Sequence, residues 1–196
     1  MTSQLICAWD FTHPLEREYH DTEWGRPVYL DRILFEFITL EGAQSGLSWL
    51  TILKKRHAYR QAFAHYDLSI LAQYQDDDVE SILRHFDVIK HRGKIASVFT
   101  NARAALKIQK EYGSLSEALW SFVAGKPQIN HWQSADQIPQ WTQASQAMSV
   151  FLKRYGFKFI GPTTCYAFMQ AVGMVNDHLV SCPCHPSRQD YDSSTL

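Results

Sequence analysis

The chain is 196 residues long and 45% hydrophobic, enough apolar material for a substantial core, which excludes disorder and fits one compact domain or two lobes around a cleft. No apolar stretch approaches the ~20 residues of a membrane-spanning helix, and the opening MTSQLICAWD lacks the basic and apolar runs of a signal peptide, so a soluble, cytoplasmic protein with no membrane partner is expected. The formal charge of -1 hides 3 basic against 8 acidic residues over 1–50 and 11 against 6 over 51–110, so a near-neutral chain can still present one basic face to phosphates.

The hydrophobic pattern is almost wholly helical. Asp31 is placed to cap a helix whose apolar positions Ile33, Leu34, Phe37, Ile38 and Leu40 follow helical spacing, with Gly42 and Gly46 loosening its end. A second helix is predicted from about Ser48 to Ala64, with Leu50, Leu53, Ala58 and Phe63 inward. Asp67 and Asp76 read as caps of short amphipathic segments carrying Leu68, Leu71, Val79, Ile82 and Leu83. After a break at Arg92 and Gly93, helical patterning resumes to about Glu111 and again from Leu115 to Val123. The polar stretch from Lys126 to Trp141 contains Pro127 and Pro139 and is expected to form a long loop or lobe boundary. Two more helices fit Thr142 to Tyr155 and Pro162 to Val175, while FKFI at 157–160 is too short and isolated to imply a sheet. The result is an all-α chain, organised as a single helical domain over 1–186 with a polar, frayed tail over 187–196.

Four cysteines are too few for a disulfide scaffold in a chain of this length and read as buried thiols or metal ligands. His178 and Cys182 stand four apart, so a helical turn would set both on one face, as two ligands of a divalent metal. Cys7 and His20 can supply the other two. Such a Cys2His2 set is closed and tetrahedral, therefore structural, and would tie the two ends of the chain together. On the residues alone, two buried thiols and two ordinary histidines remain an open alternative, because Cys184 and His185 offer competing donors.

The run VIKHRGKIASV at 88–98 joins an apolar pair, a basic turn with Gly93 and a resumed amphipathic helix. A helix-hairpin-helix unit has this order, with backbone N–H groups and basic side chains of the turn aimed at DNA phosphates. The second glycine usual earlier in such a turn is absent; Asp87 or Val88 sits near that point. Glu41 lies at the end of a predicted helix in LEGAQSGLSW, followed by Trp49. A carboxylate near an aromatic platform can accept hydrogen bonds from a nitrogenous ring or stabilise a cationic one, although a helix-end surface glutamate has the same pattern.

Taken together, CAW, YHDTEWG, LEGAQSGLSW, LKKR, HRGKI, GFKFIGPTTCYAFMQAVGMVNDH and HLVSC, in that order over residues 7 to about 184, resemble the 3-methyladenine DNA glycosylase I family. The resemblance implies a helix-hairpin-helix DNA glycosylase-like fold with a structural Zn2+ joining the termini through Cys7, His20, His178 and Cys182. It implies excision of 3-methyladenine from double-stranded DNA by a monomer. On the same resemblance Glu41 is the catalytic pocket carboxylate, Trp49 the stacking platform, and Trp9, Tyr19 and Trp24 the aromatic wall that binds the flipped base. Gly46 and Leu47 approach the duplex where the nucleotide has left, and Lys90, His91, Arg92, Gly93 and Lys94 grip phosphates.

Methylation at N3 already makes adenine a cationic leaving group, so selection and positioning suffice without protonation. Wider helix-hairpin-helix relatives place an aspartate beyond the hairpin, and those with lyase activity add a lysine; ALKIQKEYGS offers Glu111 but no aspartate, so a monofunctional glycosylase is expected. Two positions depart from the family: Glu16 stands where another pocket tyrosine is usual, and Ala8 where a glycine often follows the first cysteine. A non-catalytic, zinc-stabilised protein that binds damaged DNA would use the same face and pocket. Zinc-dependent hydrolysis or deamination would need a metal-bound water and a His-x-Glu with Cys-x-x-Cys pairing, whereas this chain has CPCH.

Overall fold

The computed structural model describes residues 7, 11 and 13–188. Among these, the α-helices are α1 (Pro14–Thr22), α2 (Asp31–Gln44), α3 (Trp49–Ala62), α4 (Leu68–Leu71), α5 (Asp76–His85), α6 (Arg92–Tyr112), α7 (Leu115–Trp120), α8 (Gln143–Tyr155) and α9 (Pro162–Ala171). Two short strands, β1 (Gln128–Ile129) and β2 (Val175–Asn176), pair in parallel, with Gln128 opposite Val175 and Ile129 opposite Asn176. No helix among the described residues is long and apolar enough to cross a membrane.

The core is built around α2. Its residues from Leu34 to Ala43 are all buried, as befits a helix enclosed on every side, and it packs against α3, α6, α7 and α9. Asp31 does not cap α2, whose N-cap is Leu30. The Asp31 carboxylate instead accepts from the backbone amides of Leu115 and Ser116, each at 2.8 Å, and from Gln109 Nε2 at 2.7 Å. It thus caps α7, meeting donors that a helix start leaves unpaired. Asp67 caps α4 through the amides of Ser69 and Ile70. The N-cap of α5 is Gln75 rather than Asp76, with Asp78 closing the capping box.

In α3 the expected inward positions Leu50, Leu53 and Ala58 are only half-buried. The inward stripe is Ile52, Arg56, Tyr59 and Phe63, and Arg56 explains the shifted phase. Its guanidinium lies 5.0 Å over the Phe37 ring and pairs with the buried Glu36 at 2.6 Å, so a charged side chain occupies a core-facing position of the helix.

The segment 126–141 is irregular apart from β1 and a 3-10 turn at Ala135–Gln137, and β1 pairs it with the chain beyond α9. The helix expected to reach Val175 stops at Ala171. Gly173 has φ +68°, and a Cβ there would lie 2.2 Å from the Arg26 carbonyl carbon. Only glycine permits this approach of the α1–α2 connection, which Gly25 and Val28 continue by donating to the carbonyls of Gln170 and Val172. The tail expected from 187 lies outside the described residues except for Ser187 and Arg188, which end in a 3-10 turn at Pro186–Arg188.

Candidate functional site

The last turn of α2, the first of α3, α1 with the residues after it, and one face of α9 enclose a cavity of about 230 Å³. Cys7, Tyr19, Trp24, Glu41, Gln44, Trp49, Ile138, Ala167 and Gln170 line it. Trp49 is fixed at the start of α3 by the Ser48 N-cap, whose hydroxyl accepts from the Thr51 amide at 3.2 Å. The Tyr19 and Trp49 rings meet with centroids 5.3 Å apart and planes inclined by 52°.

Glu41 is 7% exposed, and no cation or hydrogen-bond donor among the described residues offsets its burial, which alone raises its carboxyl pKa to about 8. Trp49 Nε1 is likewise buried without a hydrogen-bond partner. A folded protein rarely leaves such groups unspent. Here two residues that line one cavity, Glu41 and Trp49, each carry a buried polar group without a partner among the described residues. Tyr19 is pushed well above the usual phenol range, first by burial and then by the negative charges of Glu41 and Glu23.

Trp24 joins this cavity to a second cluster. Its ring lies 4.7 Å from that of His178 and stacks on that of His20 at 5.9 Å. Cys7, His20, His178 and Cys182 are all buried, with one ligand atom from each within 4.8 Å of the others. His178 Nδ1 is 3.6 Å from Cys7 Sγ and 3.5 Å from Cys182 Sγ, and His20 Nε2 is 3.8 Å from Cys182 Sγ. These are the separations of ligands around a tetrahedral ion.

The opposite ring nitrogens are occupied. His178 Nε2 lies 3.1 Å from the Trp24 carbonyl oxygen and His20 Nδ1 2.7 Å from Asp21 Oδ1, which turns the other nitrogen of each ring inward. The amides of Leu179 and Cys184 donate to the sulfurs of Cys7 and Cys182 at 3.2 and 3.4 Å. The Cys7 thiol is held below its ordinary pKa, chiefly by its hydrogen bond with Cys182. This set can hold a metal ion and would fill its shell with protein ligands. The competing donors are engaged elsewhere: Cys184 with Asp21, and His185 with the Asn130 carbonyl and Ser187.

The basic run lies between α5 and α6. Lys90 Nζ turns back onto the carbonyls of Leu83 and Phe86 at 2.5 and 2.6 Å, and Arg92 pairs with Glu80. His91 is the N-cap of α6, accepting from the Lys94 amide at 3.1 Å. Lys94 Nζ donates to the carbonyls of Ala43 and Ser45, both at 2.9 Å. The amides of Arg92 and Gly93 make no hydrogen bond within the described residues. Gly46, at φ +81° with open space around it, and Leu47, 39% exposed, form the turn that Lys94 grips.

Glu41, Trp49, Tyr19 and Trp24 therefore share one cavity, and the four metal-ligand candidates one cluster. Trp9 lies outside the described residues. Glu16 sits in the first turn of α1 and does not line the cavity. Sequence reasoning passed over Gln44, Ile138, Ala167 and Gln170. The last two are three apart on α9 and so share a face, a spacing that carries no chemical signal without the cavity.

Residues 9–185 match the sequence model of the family described as methyladenine glycosylase. The chain is 46% identical over 183 residues to DNA-3-methyladenine glycosylase 1 of Escherichia coli K12, covering 93% of this chain and 98% of that protein. A crystal structure of 3-methyladenine DNA glycosylase I superposes with a TM-score of 0.89 at 50% identity, covering 92% of this chain and all of the other. A Tyr-to-Phe variant of such an enzyme in complex with 3-methyladenine superposes with a TM-score of 0.90 at 37% identity, covering 93% and 98%. With a match that spans most of its length and relatives this similar on both sequence and structure, the chain belongs to the methyladenine glycosylase family, hydrolases that act on N-glycosyl bonds.

Proposed function

We propose that this chain is a monofunctional DNA repair enzyme that flips 3-methyladenine out of double-stranded DNA into the Glu41–Trp49 cavity and hydrolyses its N-glycosidic bond, acting as a monomer in the cytoplasm. One observation carries this function: a buried carboxyl group without a countercharge among the described residues, in a cavity walled by Tyr19, Trp24 and Trp49. Burial makes the Glu41 anion costly while the cavity is empty. A cationic purine supplies the countercharge, draws the carboxyl group into its ionised form and donates hydrogen bonds to it from the exocyclic amine, whereas neutral adenine brings no charge. The aromatic walls add to this preference through their negative faces.

The same charge serves the reaction. The alkylated base leaves as a neutral molecule, so no acid is required, and the positive charge passes to the sugar, where water captures it. Negative potential from Glu41 acts on both forms, favouring the cationic base as it binds and the oxocarbenium ion as it develops. No lysine lines the cavity among the described residues, which fits hydrolysis without a lyase step.

On the DNA side, α5, the 86–91 connection and α6 act as a helix-hairpin-helix unit. Its phosphate contacts come from the open amides of Arg92 and Gly93 at the positive end of α6, with His91 and Arg92 beside them. Lys90 and Lys94 shape the turn. Gly46 and Leu47 enter the gap left by the flipped nucleotide. Cys7, His20, His178 and Cys182 hold Zn2+, which supplies cross-linking of the chain ends and no reaction step.

The test is release of free 3-methyladenine from alkylated duplex DNA by the intact protein. Release, lost in Glu41→Gln, is the expected result. Tight binding of the duplex with no base released would overturn hydrolysis and favour a damage-binding protein.

A further inference from the structure

Phe159 is a bulky residue at φ +53°, a conformation that costs an L side chain free energy and persists only where its surroundings enforce it. The enforcement is visible on both sides. Asn101, buried in α6, reads both backbone groups of the preceding residue: its Nδ2 donates to the Lys158 carbonyl at 3.2 Å and its Oδ1 accepts from the Lys158 amide at 2.8 Å. On the other side, the hydroxyl of Ser149, buried in α8, donates to the Ile160 carbonyl at 3.0 Å. Two buried polar side chains from two helices thus hold one strained turn.

This turn leaves Phe159 42% exposed. It leaves the ring at the mouth of the α5–α6 connection. The ring meets His91 edge-on, centroids 5.9 Å apart, and its tip would lie 3.6 Å from a Cβ on Gly93. The Phe159 carbonyl would lie 3.2 Å from a Cβ on Gly42, the residue after Glu41. An exposed aromatic residue therefore sits between the helix end that carries the cavity acid and the turn that presents open amides.

We infer that Phe159 is a DNA-contacting residue: its ring packs on the deoxyribose and base edges of the lesion-bearing strand, next to the phosphates held at Arg92 and Gly93, and keeps the strand aligned while Leu47 fills the vacated stack. Duplex DNA is the occupant that this placement fits, because the ring adjoins His91 and the open amides at the start of α6, which suit a phosphate, and an aromatic face accepts any base or sugar. The inference rests on the DNA-binding role proposed above for the hairpin.

The experiment measures three quantities for Phe159→Ala, Phe159→Tyr and Phe159→Gly: affinity for a duplex carrying a tetrahydrofuran abasic analogue, affinity for free 3-methyladenine, and thermal midpoint. Arg92→Pro, which removes one amide N–H at a helix start that tolerates proline, serves as the hairpin reference. Phe159→Ala is expected to weaken duplex binding about ten-fold and Phe159→Tyr less than about two-fold, as loss or retention of one stacking ring would. Free-base affinity stays at the wild-type value in both. Phe159→Gly is expected to weaken duplex binding while raising the thermal midpoint, because glycine relieves the strained φ. Unchanged duplex affinity in Phe159→Ala with weakened binding in Arg92→Pro overturns the role of Phe159 alone. Unchanged affinity in both overturns the hairpin's role as well. Parallel loss of duplex binding, free-base binding and thermal midpoint in Phe159→Ala would make the ring a packing residue and overturn the inference.

Discussion

Lys94 donates from Nζ to the carbonyl of Ser45 at 2.9 Å, so the first turn of α6 holds the end of the helix that carries Glu41. The ammonium caps the orphan carbonyls of α2 and anchors the turn with Gly46 and Leu47, so two of its three protons are taken by the fold. Burial lowers its pKa. Lys94→Met is expected to lower stability by about 1–2 kcal/mol, the worth of a charged hydrogen-bonded cap. It should also weaken duplex binding by loosening the turn. The slope of log affinity against log salt concentration separates position from phosphate contact: it stays unchanged, whereas a group released from a phosphate would reduce it by about 0.9.

Glu41 makes stability depend on pH in an unusual direction. Its folded pKa of about 8 lies above the ordinary value of 4.5, so between these pH values the folded protein binds more protons than the unfolded chain. Stability contributed by this site therefore falls as pH rises through the window. Glu41→Gln removes the titration. Urea unfolding should show the variant gaining on the wild type from pH 5 to pH 8.5, by at most about 4 kcal/mol. Base excision at neutral pH should fall by about 100-fold or more. A variant that unfolds in step with the wild type at both pH values would place Glu41 in contact with a countercharge and remove the basis for cation selection.

Much of the helical frame was legible because aliphatic spacing survives in α2, α5, α6 and α8. It was not legible in α1, whose buried residues are Tyr19 and His20, a tyrosine and a histidine that give no apolar stripe. Arg56 hid the phase of α3 in the same way, since its burial depends on Glu36 from another helix. Asp31 shows a different limit: the residue type marks a cap, but composition cannot tell which helix end the carboxylate reaches. Lys90 and Lys94 show it for charge, where the sequence displays a cation and only the fold shows that two protons of each are spent on carbonyls. Glu41 and Trp49 stood out as an acid and an aromatic platform in LEGAQSGLSW, with a surface glutamate as the alternative, and their roles came from the resemblance. Their burial and lack of partners, which give the pair its chemistry, arise only when α1 and α9 close around them.

Removing the metal should act on stability before chemistry. His20 and His178 are oriented by Asp21 and by the Trp24 carbonyl, and the four ligands join residues near both ends of the chain. An ion present at a thousand times its dissociation constant would contribute about 4 kcal/mol. Cys182→Ala, or prolonged chelation, is expected to lower the thermal midpoint clearly while the remaining folded protein still releases base. Equal midpoints with and without chelator would show that the cluster holds no structural ion.

Asp177 links the two sites without belonging to either. Its buried Oδ1 accepts from Asn130 Nδ2 and Trp132 Nε1, and its Oδ2 from Tyr166 Oη and Gln170 Nε2, each at 2.7 Å. All four donors are neutral, and an amide in its place would turn two protons toward one pair of them, which could be met only by reversing a hydroxyl or a side-chain amide and not at all by the Trp132 indole. The next residue is the metal-ligand candidate His178, and Gln170 lines the cavity. Asp177→Asn is therefore expected to cost about 3 kcal/mol, as breakage of a buried network does. It should also release the Gln170 side chain, raising KM for alkylated DNA more than it lowers kcat. Retained stability would show that the four donors find other partners, and the cavity wall would then owe nothing to this carboxylate.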